Sequence, residues 1–184
     1  MAMPKAPNRA VFLDRDGVLN RSLVRDGKPY PASTLAEFEI YPEVPQACQK
    51  LKNAGFLLVV VTNQPDVGRG TLPREKVEAI HAKMLAELPI DQVEVCYDPG
   101  GSTPSEFRKP APGMILKAAR DLAIDLAKSY IVGDRWRDID CGHNAGCTTI
   151  FLDRGYSEEL RQKPHFRAGN LAEAADIILE HAKT

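Results

Sequence analysis

The chain has 184 residues, 43% of them hydrophobic and 27% charged. That length suits a single domain able to bury about 70% of the surface its unfolded chain exposes, with no disulfide or metal needed to stabilise the core. The 24 Lys and Arg nearly cancel the 25 Asp and Glu, leaving a formal charge of -1. This balance argues against a broad nucleic-acid or anionic-membrane surface, and the apolar content argues against disorder.

Residues 1–9 lack the apolar stretch of a signal peptide and are predicted to be flexible. The longest apolar run, residues 56–61, falls far short of the ~20 residues that a membrane helix needs. Cys48, Cys96, Cys141 and Cys147 have no C-x-x-C spacing, so they read as buried thiols of a reducing compartment. The expectation is a cytoplasmic protein with no membrane or nucleic-acid partner, monomeric or weakly homo-oligomeric.

Residues 10–13 form the first predicted strand. Val44, Ala47, Leu51 and Ala54 then recur at helical spacing, and Gly55 supplies the stop. Residues 56–61 are continuously apolar and predict a buried strand. Val77, Ile80, Met84, Leu85 and Leu88 mark a longer helix between Pro73 and Pro89. Further strands are predicted over 93–97, 130–132 and 148–152. Helices follow through Ile115, Ala118, Ala119 and Leu122, and over 171–179. Strands alternating with helices predict an α/β fold with a parallel sheet flanked by helices. Residues 98–112, rich in Gly, Pro, Ser and Thr, form a connection long enough to suggest a functional loop.

Polar residues gather where the strands should end, at the sheet edge where α/β proteins bind ligands. Asp14 and Asp16 follow the first strand in Leu13-Asp14-Arg15-Asp16-Gly17. Two carboxylates this close repel unless a cation or phosphate chemistry uses them, and Mg²⁺ suits one or two carboxylates plus a substrate phosphate. A calcium loop does not fit, because Gly17 comes two positions too early. Thr62, Asn63 and Gln64 end the second strand with donors suited to phosphoryl oxygens, although a plain polar cap reads the same way. Arg108 and Lys109 follow the long loop and could neutralise charge on a transferring group. Asp134 ends the strand at 130–132, with Asp138 four residues on. If both lie on a helix they share a face and repel, unless one binds a metal and the other pairs with a cation such as Lys109. No phosphate-binding P-loop, dinucleotide fingerprint or G-x-S-x-G elbow occurs.

Taken in order, Asp14-Arg15-Asp16-Gly17, Thr62-Asn63, Lys109, and Gly133-Asp134 with Asp138 resemble the four motifs of the haloacid dehalogenase superfamily. The resemblance covers residues 10 to about 156. Residues 12–20, Thr62-Asn63-Gln64, Gly68-Arg69-Gly70, Arg108-Lys109-Pro110 and residues 133–139 are similar to the D-glycero-D-manno-heptose 1,7-bisphosphate phosphatase and histidinol-phosphatase branch. The resemblance implies a HAD-like fold and a Mg²⁺-dependent phosphatase acting on a small phosphorylated substrate. Asp14 would be the nucleophile and Asp16 the general acid and base. Metal would be held by Asp14, the Asp16 carbonyl and Asp134. Thr62, Asn63 and Gln64 would bind the phosphoryl group, Lys109 would offset its charge, and Asp138 would orient Lys109 or a metal-bound water. Arg69 and Arg108 are candidates for a second phosphate or the sugar, and read equally well as solvated surface arginines.

Relatives of this kind carry a zinc loop of three Cys and one His before the catalytic Lys. Here residues 97–108 contain neither, so no zinc is predicted and the loop should be shorter or more mobile than a metal-pinned one. The motif intervals leave no room for a sizeable cap domain. Alternatives are a histidinol-phosphate or other phosphomonoester phosphatase, and a non-catalytic phosphate-binding module. His81, His143, His165 and His181 have no spacing that suits a site and read as structural or surface.

Overall fold

The computed structural model describes residues 6–183. Six parallel strands form one sheet in the order β5-β4-β1-β6-β7-β8. They are β1 (Arg9–Leu13), β4 (Phe56–Asn63), β5 (Gln92–Cys96), β6 (Tyr130–Gly133), β7 (Thr148–Leu152) and β8 (Phe166–Ala168). Helices α1 (Val44–Asn53), α3 (Arg74–Glu87), α4 (Gly113–Asp121), α5 (Trp136–Ala145) and α6 (Leu171–His181) cover its faces, and a short helix, α2 (Pro65–Gly68), follows β4. A separate antiparallel hairpin, β2 (Leu23–Arg25) and β3 (Lys28–Tyr30), lies between β1 and α1.

Strand alternation divides the core. Val11 and Leu13 of β1, with Leu58 and Val60 of β4, pack toward α1, α3 and α6 through Leu51, Met84 and Ile178. Ala10 and Phe12, with Val59 and Val61, face α4 and α5 through Ile115, Ala118 and Cys141. Both faces are apolar, as a parallel sheet between helix layers requires. Chain order reverses at β1, since β4 adds on one side and β6 on the other. The crevice at the carboxyl ends of β4, β1 and β6 is therefore where a ligand fits.

The five strands and the longer helices read from the sequence are present. The hairpin and β8 were not anticipated, and Leu85 is 47% exposed instead of joining the α3 core stripe. Of the terminus predicted to be flexible, residues 1–5 lie outside those described. Asn8 and Arg9, by contrast, are tied down. The Asn8 Nδ2 donates to the Leu122 carbonyl (2.6 Å), and the Arg9 guanidinium donates to the Ala54 carbonyl (2.8 Å) while covering the Phe56 ring. Among the described residues no helix is long and apolar enough to cross a membrane.

Gly142 lets α5 approach the sheet. A β-carbon there would lie 2.2 Å from Ile131 Cγ2 and 2.6 Å from Thr149 Cγ2. Gly142→Ala should destabilise the fold by about 1–3 kcal/mol through overpacking, lowering Tm by ~2–4 °C per kcal/mol. An unchanged melting curve would show that the layers can part without cost.

Candidate active site

The Asp14 amide donates to the Val132 carbonyl (3.1 Å), extending the β1–β6 ladder by one residue beyond Leu13. The chain then turns sharply, with Leu19 N and Asn20 N both donating to the Arg15 carbonyl. Gly17 makes the turn at φ +85°, and a β-carbon there would sit 1.8 Å from Asp134 Oδ2. Only a glycine meets both requirements.

Asp14, Asp134 and Asp138 converge, with ligand oxygens all within 4.8 Å of one another. Lys109 is the cation set among them, only 3% exposed. Its Nζ meets Asp138 Oδ1 at 2.7 Å, Asp14 Oδ1 at 2.9 Å and the Val61 carbonyl at 2.8 Å. An ammonium has three protons, and here each has an acceptor. Burial, the largest influence on Lys109, opposes its charge, but Asp138 and Asp14 outweigh it and hold the ammonium above its ordinary range.

One ammonium cannot balance three buried carboxylates. Burial, reinforced by Asp138 and opposed by Lys109, raises the Asp14 pKa to about 7. Asp134 is pushed well above the usual carboxylate range by burial, then by Asp14 and Asp138. Both Asp134 oxygens are buried without a hydrogen-bond partner; the Tyr156 hydroxyl sits beside them and eases the charge without reaching bonding geometry. Orphaned hard oxygens beside a second carboxylate form a donor set that suits a small hard cation. Asp138 is already committed, with Oδ1 to Lys109 and Oδ2 to the Arg135 amide at 3.1 Å. It reaches Lys109 from the first turn of α5, and Asp134 precedes that helix instead of sharing a face with it.

Other predicted residues are placed differently from the expectation. The Asp16 carboxylate lies outside the converging trio. It accepts from Arg15 Nε (3.0 Å), Asn20 Nδ2 (3.0 Å), the Ala32 amide (3.1 Å) and Gln64 Nε2 (3.0 Å). Gln64 thereby positions Asp16, and its amide also donates to Thr62 Oγ1 (3.0 Å). Asn63 clamps the lysine loop, donating to the Lys109 carbonyl (3.2 Å) and accepting from the Lys109 amide (3.1 Å). Asn63 Nδ2 keeps a second proton, and both Asn63 and Thr62 line the cavity.

Asp14, Asp16, Thr62, Asn63, Lys109, Asp134 and Asp138 line a cavity of about 420 Å³, together with Lys28, Pro29 and Tyr30 of β3 and with Arg69, Arg108, Arg135 and Arg137. Sequence reasoning missed Arg15, fully buried between Asp16 and His81, whose Nε2 lies 3.2 Å from Arg15 Nη1. Burial and the Arg15 charge lower the His81 pKa to about 4, so His81 is a neutral partner of that guanidinium. It also missed Asp98. Asp98 Oδ1 accepts from the Gly100 amide (2.6 Å), Oδ2 accepts from the Ser105 amide (2.7 Å), and its carbonyl accepts from Arg108 Nη1 (2.6 Å). The connection expected to be mobile is thus fastened by a carboxylate. All four cysteines are free and buried, as expected.

Fold and site together define a HAD-like hydrolase: a parallel sheet with an acidic centre at the carboxyl ends of β1 and β6 and its lysine supplied by the loop after β5. The HAD-hydrolase-like family model matches residues 106–174. The D-glycero-D-manno-heptose-1,7-bisphosphate 7-phosphatase of Thermosynechococcus vestitus is 32% identical, with 95% of this chain and 97% of that protein covered. The D-glycero-beta-D-manno-heptose-1,7-bisphosphate 7-phosphatase of Escherichia coli K12 is 38% identical over 79% of this chain and 78% of its own length. The crystal structure of D,D-heptose 1,7-bisphosphate phosphatase from B. bronchiseptica, complexed with magnesium and phosphate, superposes with a TM-score of 0.80 at 30% identity, covering 94% of this chain and 99% of that one. The chain belongs to the heptose-bisphosphate phosphatase family of the haloacid dehalogenase superfamily.

The raised carboxylate pKa has a consequence for stability without metal. Folded Asp14 keeps its proton up to about pH 7, whereas an ordinary carboxyl loses it near 3.8. The native state therefore binds more protons in that window, and stability falls as pH rises through it. Asp14→Asn should melt above wild type at pH 8 in chelator, with the gap closing below pH 4. A lower Tm for the variant at pH 8 would show that the Lys109 pair outweighs the crowding.

Proposed function

We propose that this chain is a Mg²⁺-dependent phosphatase that removes the 7-phosphate of D-glycero-D-manno-heptose 1,7-bisphosphate through an aspartyl-phosphate on Asp14. The observation that carries this reading is the convergence of Asp14, Asp134 and Asp138 around Lys109 at the sheet's carboxyl edge. The names of the relatives supply the substrate.

In this reading Asp14 attacks phosphorus, and the bond to the sugar oxygen breaks as Asp16 delivers a proton to it. Water then cleaves the acyl phosphate, giving its proton back to Asp16, and Asp14 is regenerated. Splitting hydrolysis into two displacements is the advantage of a covalent intermediate, and a positioned acid/base adds typically ~10²–10⁴-fold. Asp16 acts from the pocket side of the Arg15–Gln64 clamp, which fixes where its carboxyl can reach. Lys109 carries charge toward the phosphoryl oxygens and keeps Asp14 in place. Asp14, Asp134 and the Asp16 carbonyl would hold Mg²⁺, whose charge offsets the carboxylates and the phosphoryl group. Asp98 supports a loop that needs no zinc, since its carboxylate supplies the fastening.

The reading is tested with zinc-free protein and added magnesium on heptose 1,7-bisphosphate, fructose 1,6-bisphosphate, histidinol phosphate and p-nitrophenyl phosphate. Heptose bisphosphate should give the highest kcat/KM, and Asp14→Asn should lose at least about 10³-fold in turnover, as expected when a nucleophile is removed. Preference for histidinol phosphate would replace the substrate. Undiminished turnover by Asp14→Asn would remove the nucleophile, and a requirement for added zinc would overturn the account of the loop.

A further inference from the structure

Asp134 is left without a donor in the acidic centre: it is 1% exposed, and neither of its oxygens has a hydrogen-bond partner. The donors of the centre are spent elsewhere. Lys109 serves Val61, Asp14 and Asp138, and Arg15 serves Asp16, Ala32 and His81. The Gly17 amide donates to the Asn20 carbonyl and the Arg135 amide to Asp138.

The hydroxyl of Tyr156 remains. A β-carbon at Gly17 would lie 1.8 Å from Asp134 Oδ2 and 3.0 Å from the Tyr156 hydroxyl, so the two oxygens press on the same turn. Burial, followed by the Asp134 charge, holds the hydroxyl above its ordinary range and keeps it a proton donor, and Ser22 is its other polar neighbour. The Tyr156 ring also walls a second cavity, of about 450 Å³, whose lining shares only Asp134 and Glu158 with the first. Two cavities reach Asp134, yet its oxygens stay buried beneath groups such as this phenol.

A carboxylate that gives one oxygen to a dication keeps a second that needs a donor, and that donor orients the ligand. A phenol suits the task because it donates a proton while adding no charge to compete with the cation.

We infer that Tyr156 is a positioning residue for Asp134: its hydroxyl serves the carboxylate oxygen that the cation does not take, and so fixes which oxygen faces the metal. This rests on the magnesium reading of the site and deepens it.

The test titrates the full chain with Mg²⁺ by calorimetry, as wild type and as Tyr156→Phe, beside melting curves in chelator. Tyr156→Phe keeps the ring and should bind Mg²⁺ about ten- to a hundredfold more weakly, the usual effect of losing such a support. Its Tm in chelator should stay within about 4 °C of wild type, the effect of ~1 kcal/mol. A Mg²⁺ affinity within about twofold of wild type overturns the inference, whether or not the variant melts lower. In wild type, Mg²⁺ should also shift tyrosine ultraviolet absorbance as the hydroxyl gains an anionic acceptor, a signal that Tyr156→Phe lacks. An unchanged tyrosine spectrum in wild type overturns the inference even if the variant does not fold. Wild type that binds no Mg²⁺ overturns the metal reading itself, and the inference with it.

Discussion

Lys109 brings its ammonium from the loop after β5 into a space where β1, β4 and β6 each end, and it bonds to something from every one of them or from the helix that follows. The Val61 carbonyl, Asp14 and Asp138 use all three of its protons, so the ion is fixed in position as well as neutralised. Asn63 fixes the same residue through its backbone, which ties the end of β4 to the lysine loop twice. The remaining geometry depends on this knot. Without it Asp14 and Asp138 would face each other as buried like charges, and the acidic centre would be more costly still.

The centre remains short of positive charge even so, and the shortage is localised. Asp134 carries it most plainly, with both oxygens buried and no hydrogen-bond partner, packed against the turn that Gly17 makes. A site of this kind is less stable empty than filled, the usual relation between a binding centre and the fold that supports it.

Much of this was legible in the sequence because the chemistry sits where apolar runs stop. Asp14 follows Leu13 and Asp134 follows Gly133, so reading the strands located the carboxylates, and their order along alternating strands fixed the crevice. What escaped was whatever depends on partners distant in sequence. The turn of Asp16 away from the centre is set by Gln64 and the Ala32 amide, and no local pattern announces either. The hairpin has only three residues per strand, and Val24 is 57% exposed, so it shows no alternation to detect. Asp98 stands in a run of turn-forming residues and looks like one more of them, although its two oxygens close the loop. His81 read as structural, and it is, but its partner is the arginine that holds Asp16.

Asp14 and Asp134 share a buried site in which burial and mutual repulsion raise both carboxyls, Asp14 to about 7, so a dication that binds them displaces protons. Metal binding to such a site must release protons. Calorimetric titration of the full chain with Mg²⁺ at pH 6.5, repeated in buffers of different ionisation enthalpy, measures that release. The account predicts about one proton or more expelled per Mg²⁺ bound. Binding with no proton release would contradict it, because the carboxylates would then be ionised and balanced before the metal arrived.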